Sequence, residues 1–236
     1  MLRHLPTLLA AAQQGNWSPG YSRAPFVQLW GDVTHSEHVL SVQPIEWGFR
    51  FTEPQCTKAL AHFLNGDGDE TQSRARCAAF VRALYRAAGK QDEGRMNPES
   101  AKPNTLTVEA ERSIGKKRVD IALEWEDRRD VEQDNRRLIL IECKFNHHVT
   151  DGQLSGYRKF ASSRAKVGSR ELFLVVDQMT SHTAQTLRKN NDWAPLTWRA
   201  LIRRLERELA VGGVQVDGDF VRLRRTIWGM SDKNSL

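Results

Sequence analysis

The stretch RLILIECKF, residues 137–145, restricts the fold of this chain more than any other. As a strand it places Leu138, Leu140, Glu142 and Lys144 on one face and Ile139, Ile141, Cys143 and Phe145 on the other. Both faces are apolar until the charges begin, so the strand is covered on both sides. A charge in such a place is costly unless it is paired, bound to a metal, or emerging at the rim of an active site. Glu142 and Lys144 are neighbours on their face, and pairing alone would satisfy both.

The preceding segment, RVDIALEW at 118–125, adds a third charged group. Its alternation puts Val119, Ile121 and Leu123 on one face and Arg118 and Asp120 on the other. Hairpin pairing with the later strand brings Asp120 beside Glu142. Two carboxylates held together repel, an arrangement that makes sense when a divalent cation lies between them. A lysine at their side can orient water and help to deprotonate it when it is bound to the metal.

Around these strands the periodicity predicts an α/β core. Two helices come first, one from the cap Thr52 with Leu60, Phe63 and Leu64 on one face, the other over 71–88 with Gly89 as its stop. The NGDGDE stretch between them starts like a calcium loop but holds Glu70 where glycine is needed and Arg76 where a bidentate glutamate is needed, so it reads as a turn. Residues 89–105, with two prolines and almost no apolar content, read as a flexible surface loop. Three strands follow, LTVEAERSI, RVDIALEW and RLILIECKF, then a helix at about 152–165, the strand ELFLVVD, and an amphipathic helix from Thr197. The closing VQVDGDFVRLR suggests a β-hairpin turning at DGD. The domain reading is therefore an irregular, β-rich lead-in over 1–50, a core over 51–210, and a hairpin and tail over 211–236.

The composition narrows the class. No window approaches the ~18 uninterrupted apolar residues of a membrane helix, so no membrane association is expected. The N-terminal MLRHLPTLLAAAQQG reads as a short amphipathic helix rather than a cleaved signal, because Pro6 interrupts a short apolar run. Cys56, Cys77 and Cys143 form no CxxC pair and signal neither a disulfide framework nor zinc, which points to a reducing, cytoplasmic setting. His35 and His38 have no third partner for a zinc site. A formal charge of +6 suits a nucleic-acid ligand without requiring one.

Taken together, VD at 119–120, 21 intervening residues and ECK at 142–144 resemble the bipartite motif of the PD-(D/E)xK nuclease superfamily. The helix, β-meander, helix, strand order resembles its restriction-endonuclease-like αβββαβ core. QLSGY puts Gln153 and Tyr157 on one helical face and is similar to the QxxxY element of RecB-like and lambda-exonuclease-like members. VEAERSIGKKRVDIAL resembles the glutamate-bearing strand of many uncharacterised bacterial members. Val119 stands where the motif's proline would be.

That resemblance implies a Mg²⁺-dependent hydrolase of DNA, with Mn²⁺ able to substitute. Asp120 and Glu142 would ligate the ion with the Cys143 backbone carbonyl, and Glu53 or Glu111 would supply the further acid some members add. Lys144 would position the attacking water and stabilise charge on the phosphate. Gln153 would hold the local backbone or a water on the metal, and Tyr157 would contact a phosphate, brace Gln153, or simply fill the core. Arg118, His147, His148, Arg158 and Lys159 are the candidate nucleic-acid contacts, the histidines competing with a reading as a solvated loop pair. Cys143 faces away from Glu142 and is read as a core thiol rather than a nucleophile. Rival readings are a noncatalytic nuclease-like module that binds nucleic acid or a partner protein, an RNA-directed nuclease of the same fold, and an antibacterial nuclease toxin. Bacterial genome defence, as a homodimer or within a larger defence complex, is the expected setting.

Overall fold

In the computed structural model the described residues are 52–91, 94–130, 135–145, 149–214, 216 and 218–232. The N-terminal lead-in, its helix and its histidines therefore lie outside the described residues. The chain divides into two units, one made of Phe51–Gln215 with Leu223–Leu236 and the other of Met1–Arg50 with Val216–Arg222. Of the second, only Val216 and the residues from Gly218 are described.

The first unit opens with helix α1, Glu53–Leu64, whose start is fixed by the Gln55 side chain accepting the Thr52 N–H at 2.8 Å. Its buried side, Cys56, Leu60, Phe63 and Leu64, has the helical spacing read from the sequence. Asp69, from the calcium-like stretch, caps helix α2, Glu70–Ala87, by accepting the N–H groups of Thr71 and Gln72 at 2.8 and 3.1 Å. Gly89 ends α2 at φ +67°, which lets the Lys90 N–H reach back to the Tyr85 carbonyl at 2.9 Å.

The sheet has the order β1 (Thr107–Ile114), β2 (Lys117–Glu126), β3 (Arg136–Lys144), β4 (Arg170–Val176), β5 (Trp193–Thr197). β1, β2 and β3 form an antiparallel meander, while β4 and β5 run parallel to β3. Helix α3, Asp151–Arg164, makes the crossover between the parallel strands β3 and β4. It lays Leu154, Tyr157 and Ala161 on Val119, Ala122, Leu138, Leu140, Leu172 and Leu174. Helix α4 spans Ser181–Lys189 and helix α5 Trp198–Val211. Phe173 meets Tyr85 of α2 edge-on at 5.7 Å, and Phe145 stacks on Trp198 of α5 at 4.8 Å. Covered by helices, β3 is buried from Arg137 through Lys144, as its unbroken apolar run requires. This is the restriction-endonuclease-like αβββαβ arrangement.

Two expectations are corrected, and two elements are added. The C-terminal hairpin is instead helix α6, Gly218–Asp232; Phe220, Leu223 and Ile227 are buried at helical spacing, and adjacent Phe220 and Val221 are both buried, which strict alternation forbids. Residues 89–105 are not uniformly a surface loop, because Met96, Pro98, Ser100 and Ala101 are buried and Ala101 bridges to Asp127. Within the core, α4 and β5 were not anticipated. Leu187 is the only large apolar residue of α4, and β5 is a short edge strand carrying Pro195, both weak signals.

Candidate active site

The registers bring Glu111, Asp120 and Glu142 to the places where the pairing of their strands is interrupted. The β1–β2 pairing passes from Ala110↔Ile121 to Arg112↔Val119 and skips Glu111 and Asp120, where Glu111 has a φ of +60°. The β2–β3 pairing ends at Ile121↔Ile141, one step before Asp120 would face Glu142. At that point β2 keeps company with β1 and parts from β3. Continued pairing would offer the Cys143 N–H to the carbonyl of Val119. The Asp120 carboxylate takes that place instead, accepting the Cys143 N–H at 2.7 Å. Val119 then joins the cluster beneath α3 together with Ala122, so the alternation read from the sequence breaks at Asp120.

The fork between β2 and β3 holds the charged groups. Lys144 Nζ lies 2.7 Å from Glu142 Oε1, 2.9 Å from Glu53 Oε1, 2.9 Å from the Cys143 carbonyl and 3.8 Å from Asp120 Oδ2. Glu53, in the first turn of α1, also accepts the Phe145 N–H at 2.9 Å through Oε2. Gln153 of α3 donates to Glu142 Oε1 and to the Tyr157 hydroxyl. Tyr157 is buried and donates its own proton to the Arg118 carbonyl. That carbonyl sits where β2 leaves β3, so Tyr157 satisfies a backbone group the fork exposes.

Electrostatically the fork is short of positive charge. Among the described residues three carboxylates, Glu53, Asp120 and Glu142, surround the one ammonium of Lys144, so that with all four groups ionised two negative charges are left over. Burial pushes Asp120 up to about 6, with Lys144 and the Cys143 N–H pulling the other way. Burial, then repulsion by Asp120, pushes Glu142 up to about 8 despite Lys144. For Lys144, burial favours the neutral amine, but the attraction of Glu142 and Asp120 outweighs it and the ammonium is held above its ordinary range. Burial also pushes the Tyr157 hydroxyl up to about 12 and the Cys143 thiol well above its usual value. Cys143 is thus an inert core thiol.

Does this site suit a divalent cation? Glu142 Oε2 is buried and has no hydrogen-bond partner, a vacancy a native site rarely leaves unexplained. With Asp120 and Glu142 both ionised the two negative charges left over match one divalent ion, and among the described residues of the fork every available ligand atom is an oxygen, the preference of Mg²⁺. The described residues offer no ready-made cluster of three His, Cys, Asp or Glu side chains. Asp120, Glu142 and the Cys143 carbonyl, a set that needs a backbone donor, are the oxygens that could hold the ion. Both oxygens of Glu53 already hold Lys144 and the Phe145 N–H, which makes it a partner of the lysine. Glu111 has a backbone φ of +60°, unusual for a non-glycine residue. Its side chain is 9% exposed and paired with Arg118, while Oε1 is buried without a partner.

Among the remaining candidates, Arg118 is mostly exposed beyond its pair with Glu111, and Arg158 lies 3.6 Å from Asp192. Lys159 is exposed. His147 and His148 lie outside the described residues. No sequence pattern marks that Lys117 reaches the Gly152 carbonyl, tying the β1–β2 turn to the start of α3, or that Glu53 grips the end of β3 from 91 residues away. Long-range pairings of this kind leave no periodic trace.

Residues 49–213 match the family model of the PD-(D/E)XK nuclease superfamily. The chain belongs to this superfamily. A repair endonuclease from Pyrococcus abyssi is 16% identical over 46% of this chain and 47% of its own, with a TM-score of 0.27. The chain thus spans less than half of that protein's length. No curated protein matches the sequence.

Proposed function

We propose that the protein is a Mg²⁺-dependent nuclease that hydrolyses phosphodiester bonds of DNA. The observation that carries this reading is the convergence of Asp120, Glu142 and Lys144 in the β2–β3 fork, with one Glu142 oxygen buried and unpartnered. Asp120, Glu142 and the Cys143 carbonyl would hold the cation. When bound, it supplies Lewis-acid stabilisation of phosphate charge and lowers the pKa of water.

The protein's own groups do the rest. Lys144, the one ammonium in the fork, orients the attacking water and donates to the phosphate oxygens as negative charge develops. Gln153 fixes the rotamer of Glu142 through Oε1. Tyr157 fixes Gln153 and, being buried with its hydroxyl proton on the Arg118 carbonyl, acts as a brace rather than a phosphate contact. Arg118, Arg158 and Lys159 supply positive charge for the backbone phosphates.

The test is incubation with plasmid and linear DNA, and with single-stranded RNA in parallel, with Mg²⁺ or with EDTA. Cleavage of DNA with Mg²⁺, lost in EDTA and in Asp120→Ala and Lys144→Ala, is the expected result. Persistence in either variant would reject the assigned residues, and a preference for RNA would reject the substrate.

A further inference from the structure

We infer that Lys144 is a mobile internal counter-ion of the site, which holds the cation ligands closed in the metal-free protein and swings back onto Glu53 when a cation takes them. The inference rests on the reading of Asp120 and Glu142 as cation ligands and adds a competition that this reading does not contain.

An ammonium has three N–H donors. Lys144 directs them at Glu142 Oε1 at 2.7 Å, Glu53 Oε1 at 2.9 Å and the Cys143 carbonyl at 2.9 Å. None is left for water or phosphate, so in this arrangement Lys144 cannot perform the role its place in the motif demands. Two of the three acceptors, Glu142 and the Cys143 carbonyl, belong to the set that fits a divalent ion. Glu142 still offers its unpartnered Oε2 and the carbonyl its second lone pair, so the competition is one of charge: a divalent ion at those oxygens, beside Nζ, repels the ammonium. Glu53 differs, because its second oxygen is engaged by the Phe145 N–H at 2.9 Å, which anchors it to the end of β3 whether or not the fork is filled. Glu53 is therefore the post on which Lys144 pivots. Release from Glu142 and Cys143 frees two donors, those the reaction needs, and only when the cation is present. The coupling keeps the lysine inactive until the site is loaded.

The consequence is opposite to that of an ordinary active-site residue: Lys144 opposes metal binding. Mn²⁺ affinity, read by calorimetry without any substrate, should rise about tenfold or more in Lys144→Met, since one nearby like charge is gone. Glu53→Gln should weaken Mn²⁺ binding in the wild-type background, where Lys144 loses its pivot. It should have little effect on binding in Lys144→Met, where there is nothing left to anchor. Such non-additivity is the signature of an effect routed through the lysine. If Glu53→Gln weakens binding tenfold in both backgrounds, Glu53 is itself a ligand and the inference fails. It also fails if Lys144→Met binds no tighter than wild type. If neither wild type nor Lys144→Met binds Mn²⁺ differently from Asp120→Ala, the cation site itself is wrong, a failure of the proposed function instead. Should Lys144→Met not fold, the wild-type protein carries the test by NMR. The Lys144 ammonium signal should move and exchange faster with water on Mg²⁺ saturation, and an unchanged signal would overturn the inference.

Discussion

Asp120 and Cys143 are joined across the gap where their strands stop pairing, the carboxylate accepting the backbone N–H at 2.7 Å. Asp120 is thus both a piece of the sheet and a candidate ligand, and two substitutions separate the roles. Asp120→Ala leaves the Cys143 N–H buried and unpaired, which should cost about 1–3 kcal/mol, lessened by relief of repulsion with Glu142. Asp120→Asn keeps an acceptor oxygen and removes the charge, so its metal-free stability should equal or exceed that of wild type. Both should abolish cleavage. Urea denaturation beside a DNA cleavage assay checks this, and an active Asp120→Asn would show that the aspartate's charge is not needed.

Metal-free protein should lose stability as pH rises from about 4 to about 8. Asp120, raised from 3.8 to about 6, and Glu142, raised from 4.5 to about 8, retain protons in the folded state that the unfolded chain has already released. The folded state then binds more protons, and stability falls with increasing pH through this window. Melting temperature in EDTA should therefore drop between the two ends, Glu142→Gln should shrink the drop, and Mg²⁺ should do the same by binding the deprotonated pair. A melting temperature that climbs across the window would contradict the electrostatics of the fork.

Tyr157→Phe removes one hydroxyl and leaves the Arg118 carbonyl without its donor. The expected cost is about 1–2 kcal/mol, with a several-fold fall in kcat from a loosened Gln153 and a KM for DNA near that of wild type. A KM that rises while kcat holds would mean that Tyr157 touches the substrate after all.

Outside the fork, Glu208 of α5 is buried between Arg82, at 3.1 Å, and Arg86 of α2. Glu208→Gln should cost about 1–3 kcal/mol of stability, because a buried charge-assisted contact becomes a neutral one. Turnover well below the melting temperature should not change. Loss of turnover in a folded Glu208→Gln protein would reveal coupling between this joint and the active site.

The sheet could be read from the sequence because β2 and β3 declare themselves. Ile121 and Leu123 on one, and the unbroken Leu138–Ile141 run on the other, fix two strands, and their pairing puts Asp120 next to Glu142 before any coordinates are known. The break in that pairing could not be foreseen, since it depends on a carboxylate replacing a carbonyl. Glu53 stands out in the sequence as an acid on the first helix, but its grip on Lys144 comes from how α1 meets the end of β3. The C-terminal segment misled because Val214, Val216, Val221 and Leu223 allow a hairpin reading, whereas Phe220, Leu223 and Ile227 carry the helix. A 3.6-residue period would have found it.

The left-handed backbone at Glu111 gives the site a mark that can be sought in other chains. A glycine or asparagine would occupy that conformation at lower cost, so a sequence drifting under selection for folding alone should abandon glutamate there. Relatives that keep an acid at this place in β1 together with the Asp120, Glu142 and Lys144 equivalents should be active nucleases. Relatives with glycine there are expected to be those whose other site residues have decayed as well.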